Sequence, residues 1–212
     1  MLAVRHTDDS LIEVGVDEAG RGPLWGPLYA GAVIWTHEMS EEQAELAAQI
    51  KDSKKLSAKR RNELAECIKG CALDWGVGSV SAAEIDEIGM TKANQLAFER
   101  ALSSLTIMPE RLIIDGCLSL YSAPWSLIEQ VVEPEADGKY LAVAAASILA
   151  KVEHDDWIVD FCELNTNIAE RYDLLSCKGY GTKKHREGIL EFGPHELHRR
   201  LFLRKLLGSQ NS

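Results

Sequence analysis

No C-x-x-C pair occurs in these 212 residues, which argues against zinc ribbons and thioredoxin-like redox sites. The five cysteines, Cys67, Cys71, Cys117, Cys162 and Cys177, are scattered and odd in number. Cys67 and Cys71 stand one helical turn apart, but no second pair or nearby histidine completes a ligand set, so reduced thiols in a reducing compartment are expected. No apolar run approaches the ~20 residues of a membrane-spanning helix. The opening MLAVRHTDDSLIEV has no apolar core behind a basic head, so a cytoplasmic chain is expected, without a membrane partner. Repeats, low-complexity tracts and long linkers are missing too. The hydrophobic share of 46% and charged share of 26% fit one folded domain, with room for a small appendage.

Positive charge is also in short supply, with 23 Lys and Arg against 33 Asp and Glu. Its distribution matters more than its total. From Lys178 to the end there are eight basic residues against three glutamates, which leaves 15 basic against 30 acidic side chains in residues 1–177. Screening confines charge effects to about 8–10 Å at cellular salt, so a basic tail on an acidic body can still hold phosphates locally. A solvated helix face is the alternative for that stretch.

Apolar runs at 12–17, 28–36, 73–80, 111–115 and 127–132 predict five strands. Helical patterns cover 41–50, 57–71 behind Ser57 as N-cap, and about 91–105. Ser81 and Glu84 have capping-box spacing at the head of a short helix. The run from Tyr140 onward predicts the longest helix. Gly193-Pro194 splits the final region into helices near 183–191 and 195–207. Strands joined partly by turns and partly by helices imply a mixed sheet covered on both faces, an α/β architecture. The basic helical C-terminal segment lies outside that pattern.

Two strands end in acids followed by glycine. IEVGVDEAGRGP places Asp17 and Glu18 at a strand end before Gly20, Arg21 and Gly22, and RLIIDG does the same with Asp115. Acids at the end of a buried strand resist desolvation unless a cation joins them, although a polar turn is the plainer explanation for either one alone. Ligands of α/β sheets bind beyond the carboxyl ends of strands, so the two ends could converge if the strands are neighbours. Asp137, just before the long helix, is a further candidate or an ordinary N-cap. A carboxylate set without His or Cys suits Mg²⁺ or Mn²⁺ rather than zinc. Four such acids could hold two ions for in-line displacement at phosphorus.

The series DEAGRGP, DSKKLS at 52–57, IIDG at 113–116, AAASILAK at 144–151, KGYGTKKH at 178–185 and HRR at 198–200 resembles the motif order of ribonuclease HII from about residue 12 to 205. The resemblance implies a ribonuclease-H-like mixed five-stranded sheet flanked by helices (residues 1–165) with a small basic helical extension (166–212). It implies metal binding and catalysis by Asp17, Glu18, Asp115 and Asp137, with Mg²⁺ or Mn²⁺. Alanine rather than the family's usual glycine precedes Asp137, which leaves Glu133 and Glu135 as substitutes for the fourth acid. For the substrate it implies Gly20, Arg21 and Gly22 reading a ribose 2′-OH, Tyr180 stacking on the neighbouring sugar, and Ser147, Thr182 and Lys183 beside the strand. Lys54, Lys151 and Arg199 are expected on phosphates. His154 stands where the family often has arginine, so a phosphate contact there is expected to be weaker or pH-dependent.

The implied activity is endonucleolytic hydrolysis of the RNA strand of RNA/DNA hybrids and incision 5′ of a ribonucleotide embedded in duplex DNA. It would leave 5′-phosphate and 3′-hydroxyl ends. A monomer without an obligate protein partner is expected. Two alternatives remain at this point: an integrase-like enzyme acting on DNA alone, and a non-catalytic hybrid-binding module that keeps its acids.

Overall fold

The computed structural model describes residues 2–36, 38–50 and 57–208. Five strands form one sheet in the order β3-β2-β1-β4-β5. They are β1 (Glu13–Ala19), β2 (Leu28–Ile34), β3 (Asp74–Val80), β4 (Arg111–Asp115) and β5 (Glu129–Glu133). Strands β1, β2 and β3 pair antiparallel, whereas β4 and β5 run parallel to β1. The sheet is therefore mixed, as the strand connections predict.

Helices cover both faces. Helix α4 (Met90–Ser103) follows α3 (Ala82–Ile88), whose capping box between Ser81 and Glu84 is present. The buried positions of α4, among them Ala93, Ala97, Phe98, Ala101 and Leu102, meet Val14, Val16, Leu112 and Ile114 on one face. That spacing of three and four residues is the apolar stripe of a helix lying on a sheet. Helices α1 (Glu41–Ile50) and α2 (Ala58–Cys71) share the other face with the long α5 (Leu141–Leu164). Ser57 caps α2 as expected, its side chain accepting from the Arg60 N–H.

Helix α5 approaches the sheet unusually closely because the facing strand positions are glycines. A Cβ on Gly31 would lie 2.3 Å from the Ala146 carbonyl oxygen, and one on Gly15 would lie 2.2 Å from the Val143 nitrogen. The alanine-rich first half of α5 completes this fit. Its consequence is positional, because the next turn of the helix carries Ser147 to the end of β1.

Beyond α5 come α6 (Thr166–Arg171), α7 (Leu174–Cys177), α8 (Lys183–Phe192) and α9 (Arg200–Gly208). The short α6 and α7 have no clear sequence signature. The expected helix at 195–207 begins only at Arg200, because the residues before it pair with another segment. The Gly26 N–H bonds the Leu197 carbonyl at 2.9 Å, and the Arg199 N–H bonds the Leu24 carbonyl at 2.8 Å. Trp25, fully buried, packs with Ile158, Cys162, Tyr172, Leu174, Ile189 and Leu203. The C-terminal segment therefore shares one core with the end of α5 and the loop after β1. Among the described residues no helix is long and apolar enough to cross a membrane.

Candidate active site

The parallel pairing of β1 and β4 brings the two acid-bearing strand ends together. Val16 is in register with Ile114, so Asp17 and Asp115 follow as neighbours on strands about 4.8 Å apart. Alternation puts both side chains on the α5 face, where Gly15 and Ile113 also point. Glu18 projects to the α4 face, where Asn94 Nδ2 donates to its Oε2 at 3.4 Å. Asp115 Oδ1 accepts from the Ala136 N–H at 2.7 Å. That bond holds the short 3-10 turn Ala136–Gly138, and with it Asp137, against the end of β4.

Of the expected substitutes for the fourth acid, Glu133 is already engaged. Lys139 Nζ lies 2.6 Å from its Oε1, and the Tyr140 hydroxyl donates to its Oε2 at 2.9 Å. The Lys139 ammonium holds the Glu133 carboxyl below its ordinary range. Glu135 is exposed, at the head of the turn. Asp137 is carried on the turn that the Ala136 N–H bond ties to the end of β4.

Asp17 is only 5% exposed, and burial pushes its carboxyl up to about 8. A hydrogen bond with Ser147 offsets part of this, while the charges of Glu18 and Asp115 add to it. Burial raises Glu18 as well, offset in part by Asn94 and by Arg21, whose Nη1 lies 3.6 Å from Oε1. The acids form a negative cluster whose members destabilise one another as anions. Hard oxygen donors in that condition match a divalent cation in charge and chemistry. The match lies in the donor set and not in a finished cage, since no three His, Cys, Asp or Glu groups among the described residues already surround an ion-sized point.

A cleft of about 390 Å³ opens beside these acids, lined by Glu18, Gly20, Arg21, Gly22, Arg61, Ser147, Lys151 and Tyr180. Gly20 takes φ +88°, and a Cβ there would lie 2.4 Å from His154 Cδ2, so both conformation and space require glycine. The ring of Tyr180 lies against Gly22, 3.4 Å from where a Cβ would stand. Tyr180 is 41% exposed, leaving much of its side chain open to a ligand. Lys151 Nζ sits 5.8 Å from the centre of that ring and 2.7 Å from Asp155 Oδ1. The structure thus draws Asp17, Glu18, Asp115, Gly20, Gly22, Ser147, Lys151 and Tyr180 to one edge of the sheet.

Other expected residues fare differently. Thr182 is exposed and caps α8 by accepting from the His185 N–H at 3.4 Å. Lys183 extends into solvent near Glu187. Lys54 lies outside the described residues. Arg199 requires a correction, because it is fully buried and cannot reach a phosphate. Its guanidinium donates to the carbonyls of Arg21, Pro23, Gly26 and Pro27 at 2.9–3.2 Å.

His154 also departs from expectation. It is fully buried beneath Gly20, with Nδ1 3.0 Å from Asp155 Oδ1, and burial lowers its pKa. Packing under the turn replaces the expected phosphate contact. Two contributors were not singled out from the sequence. Arg61 reaches the cleft from α2, and Asn94 stands as a buried polar residue on the apolar stripe of α4. An asparagine interrupting such a stripe is a readable signal, whereas Arg61 looks like any surface arginine.

Comparison with known proteins places this geometry in one family. The family model described as Ribonuclease HII matches residues 14–205. A ribonuclease HII of Prochlorococcus marinus is 42% identical over 192 residues, covering 91% of this chain and 96% of that protein. A ribonuclease HII of Bacteroides thetaiotaomicron is 42% identical over 210 residues, covering 98% and 96%. Among solved structures, the ribonuclease H2 of Pyrococcus horikoshii superposes with a TM-score of 0.73 at 29% identity, covering 92% of this chain and 96% of the other.

Proposed function

This chain belongs to the ribonuclease HII family, and from that membership we propose that it cleaves the RNA strand of RNA/DNA hybrids and cuts 5′ of single ribonucleotides embedded in duplex DNA. Ribonuclease H endonuclease activity goes with the family itself. The finer substrate reading rests on one observation: the Gly20–Gly22 turn and the Tyr180 ring lie against each other directly beside the acid-bearing strand ends. A turn bare of side chains at Gly20 and Gly22 lets backbone groups approach a sugar closely enough to bond a 2′-OH, the group that distinguishes RNA from DNA. An exposed aromatic beside it can stack on the next nucleotide and fix the register of the strand.

The acids Asp17, Glu18, Asp115 and Asp137 would hold magnesium or manganese, which supplies a polarised water and stabilises charge on the leaving oxygen. Asp17, hydrogen-bonded to Ser147 and held by the close seating of α5, sits at the centre of this set. Water oxygen bonds to phosphorus, the P–O3′ bond breaks, and the released O3′ takes up a proton. The ends are therefore 5′-phosphate and 3′-hydroxyl. Lys151 and Arg61, both at the cleft, and Lys183 and Thr182 at the head of α8 supply positive charge or donors for flanking phosphates. The C-terminal extension carries Tyr180 to the site; a monomer without an obligate partner is part of the same reading. The free cysteines, with Cys67 and Cys117 exposed, suit a reducing cytoplasm.

Cleavage mapping on a duplex with one ribonucleotide, against an all-DNA duplex of the same sequence, tests the proposal. A single cut on the 5′ side of the ribonucleotide, dependent on Mg²⁺ or Mn²⁺ and lost in Asp17→Asn with hybrid binding retained, is expected. Equal cutting of both duplexes would favour a DNA enzyme, and binding without cutting a non-catalytic module.

A further inference from the structure

His185 and His198 are fully buried and face each other, Nε2 to Nε2, at 3.1 Å. The backbone N–H of His195 donates to His198 Nδ1 at 2.9 Å, so that nitrogen carries no proton. At the other end His185 Nδ1 lies 2.9 Å from the carbonyl oxygen of Tyr180. A carbonyl only accepts, and the Cys177 thiol 3.5 Å from the same nitrogen donates its proton to the Tyr172 carbonyl, so His185 Nδ1 carries the proton. The one proton left between the rings must then sit on His198 Nε2, pointing at the bare Nε2 of His185. A second proton on either ring would set two N–H groups against each other. Burial fits this neutrality, pushing His198 down to about 3 and lowering His185 too.

The residue after His198 is Arg199, whose side chain ties down the carbonyls of Arg21, Pro23, Gly26 and Pro27. The Leu24 N–H meanwhile bonds the Gly179 carbonyl at 2.8 Å. Two consecutive residues thus brace two loops: His198 acts through His185 on the Tyr180 loop, and Arg199 acts on the loop that begins at Gly20.

We infer that His185, His198 and Arg199 are positioning residues that set Tyr180 against the Gly20–Gly22 turn, the histidines as a neutral pair protonated at Nδ1 of His185 and Nε2 of His198. This rests on the reading that Tyr180 and the glycine turn grip nucleic acid. The brace touches neither the acids nor the scissile bond, so its loss should show in substrate capture and not in the chemical step.

Nitrogen-15 NMR of the imidazole rings in the full chain at pH 7 reads the tautomers directly. The expected pattern is the less common Nδ1–H form at His185 and Nε2–H at His198. Steady-state cleavage of a single-ribonucleotide duplex supplies the second readout. In His185→Gln the amide can reach His198 but not the Tyr180 carbonyl, and KM should rise roughly 5–30-fold with kcat within about twofold, the worth of one buried hydrogen bond. His185→Asn, whose amide nitrogen can occupy the Nδ1 position, should recover most of that loss. If both variants fail to fold, the wild-type tautomers still decide. An Nε2–H form at His185, a charged ring at pH 7, or a fall in kcat with KM unchanged would overturn the inference. A wild-type enzyme that ignores the ribonucleotide would instead overturn the functional reading and leave the tautomers as assigned.

Discussion

Replacing Asp17 by asparagine should abolish cleavage and yet make the metal-free protein more stable. Asp17 is buried beside two other carboxylates, and its carboxyl is pushed from 3.8 up to about 8. The folded state therefore keeps a proton that the unfolded chain releases, and this costs stability as pH rises above about 4, growing until about 8. At pH 7 the cost is on the order of 4 kcal/mol, about three pKa units at 1.36 kcal/mol each. Asparagine abolishes it but still buries a polar amide, at about 1–3 kcal/mol. The net gain is about 1–3 kcal/mol, or roughly 2–12 °C in Tm for a chain of this length. Thermal melts by circular dichroism in chelator, from pH 4.5 to 8.5, measure it. The variant should match the wild type near pH 4.5 and pull ahead towards pH 8. Magnesium should then raise the wild type more than the variant and narrow the gap. A variant that melts at or below the wild type at pH 8, or a gap that does not widen with pH, would refute the electrostatic account of this site.

Tyr180→Ala should weaken binding of an uncleavable RNA/DNA hybrid by about 1–3 kcal/mol, whereas Tyr180→Phe should stay within about twofold, as read by fluorescence anisotropy. Gly31→Ala should destabilise by about 3 kcal/mol, seen in the urea midpoint, because its Cβ would collide with the Ala146 carbonyl. Arg199→Lys should lower Tm by roughly 5–15 °C, since an ammonium cannot span four carbonyls on separate turns. Arg111→Ala, which removes the cation shared by Asp9, Glu13 and Glu129 at the other end of β4, should lower the urea midpoint yet leave cleavage at 25 °C unchanged.

The fold was legible wherever one period dominated a segment. Strand and helix positions from Glu13 to Leu164 follow the sequence pattern to within a few residues, because each element buries one face and the pattern records that face. The short α6 and α7 bury too few side chains to leave a periodic trace. Residues 195–199 have helical composition, yet they pair with Leu24 and Gly26, and tertiary hydrogen bonds override the local preference. At the site, the acids were legible because two strands ended in the same way. Whether those strands were neighbours was not, since periodicity carries no information on strand order.

Arg199 shows what separates a residue type from its role. A basic residue in a basic tail reads as a phosphate ligand, because charge is the property a sequence displays. Burial reverses that reading. A guanidinium removed from water lowers its own pKa, here to about 10, and must find acceptors inside the protein. The carbonyls turned inward by the chain between Arg21 and Pro27 are such acceptors, and they have little else to bond. Arg199→Ala therefore separates the two roles by its readout: loss of a phosphate ligand would flatten the salt dependence of binding and spare Tm, whereas loss of a brace lowers Tm at any ionic strength.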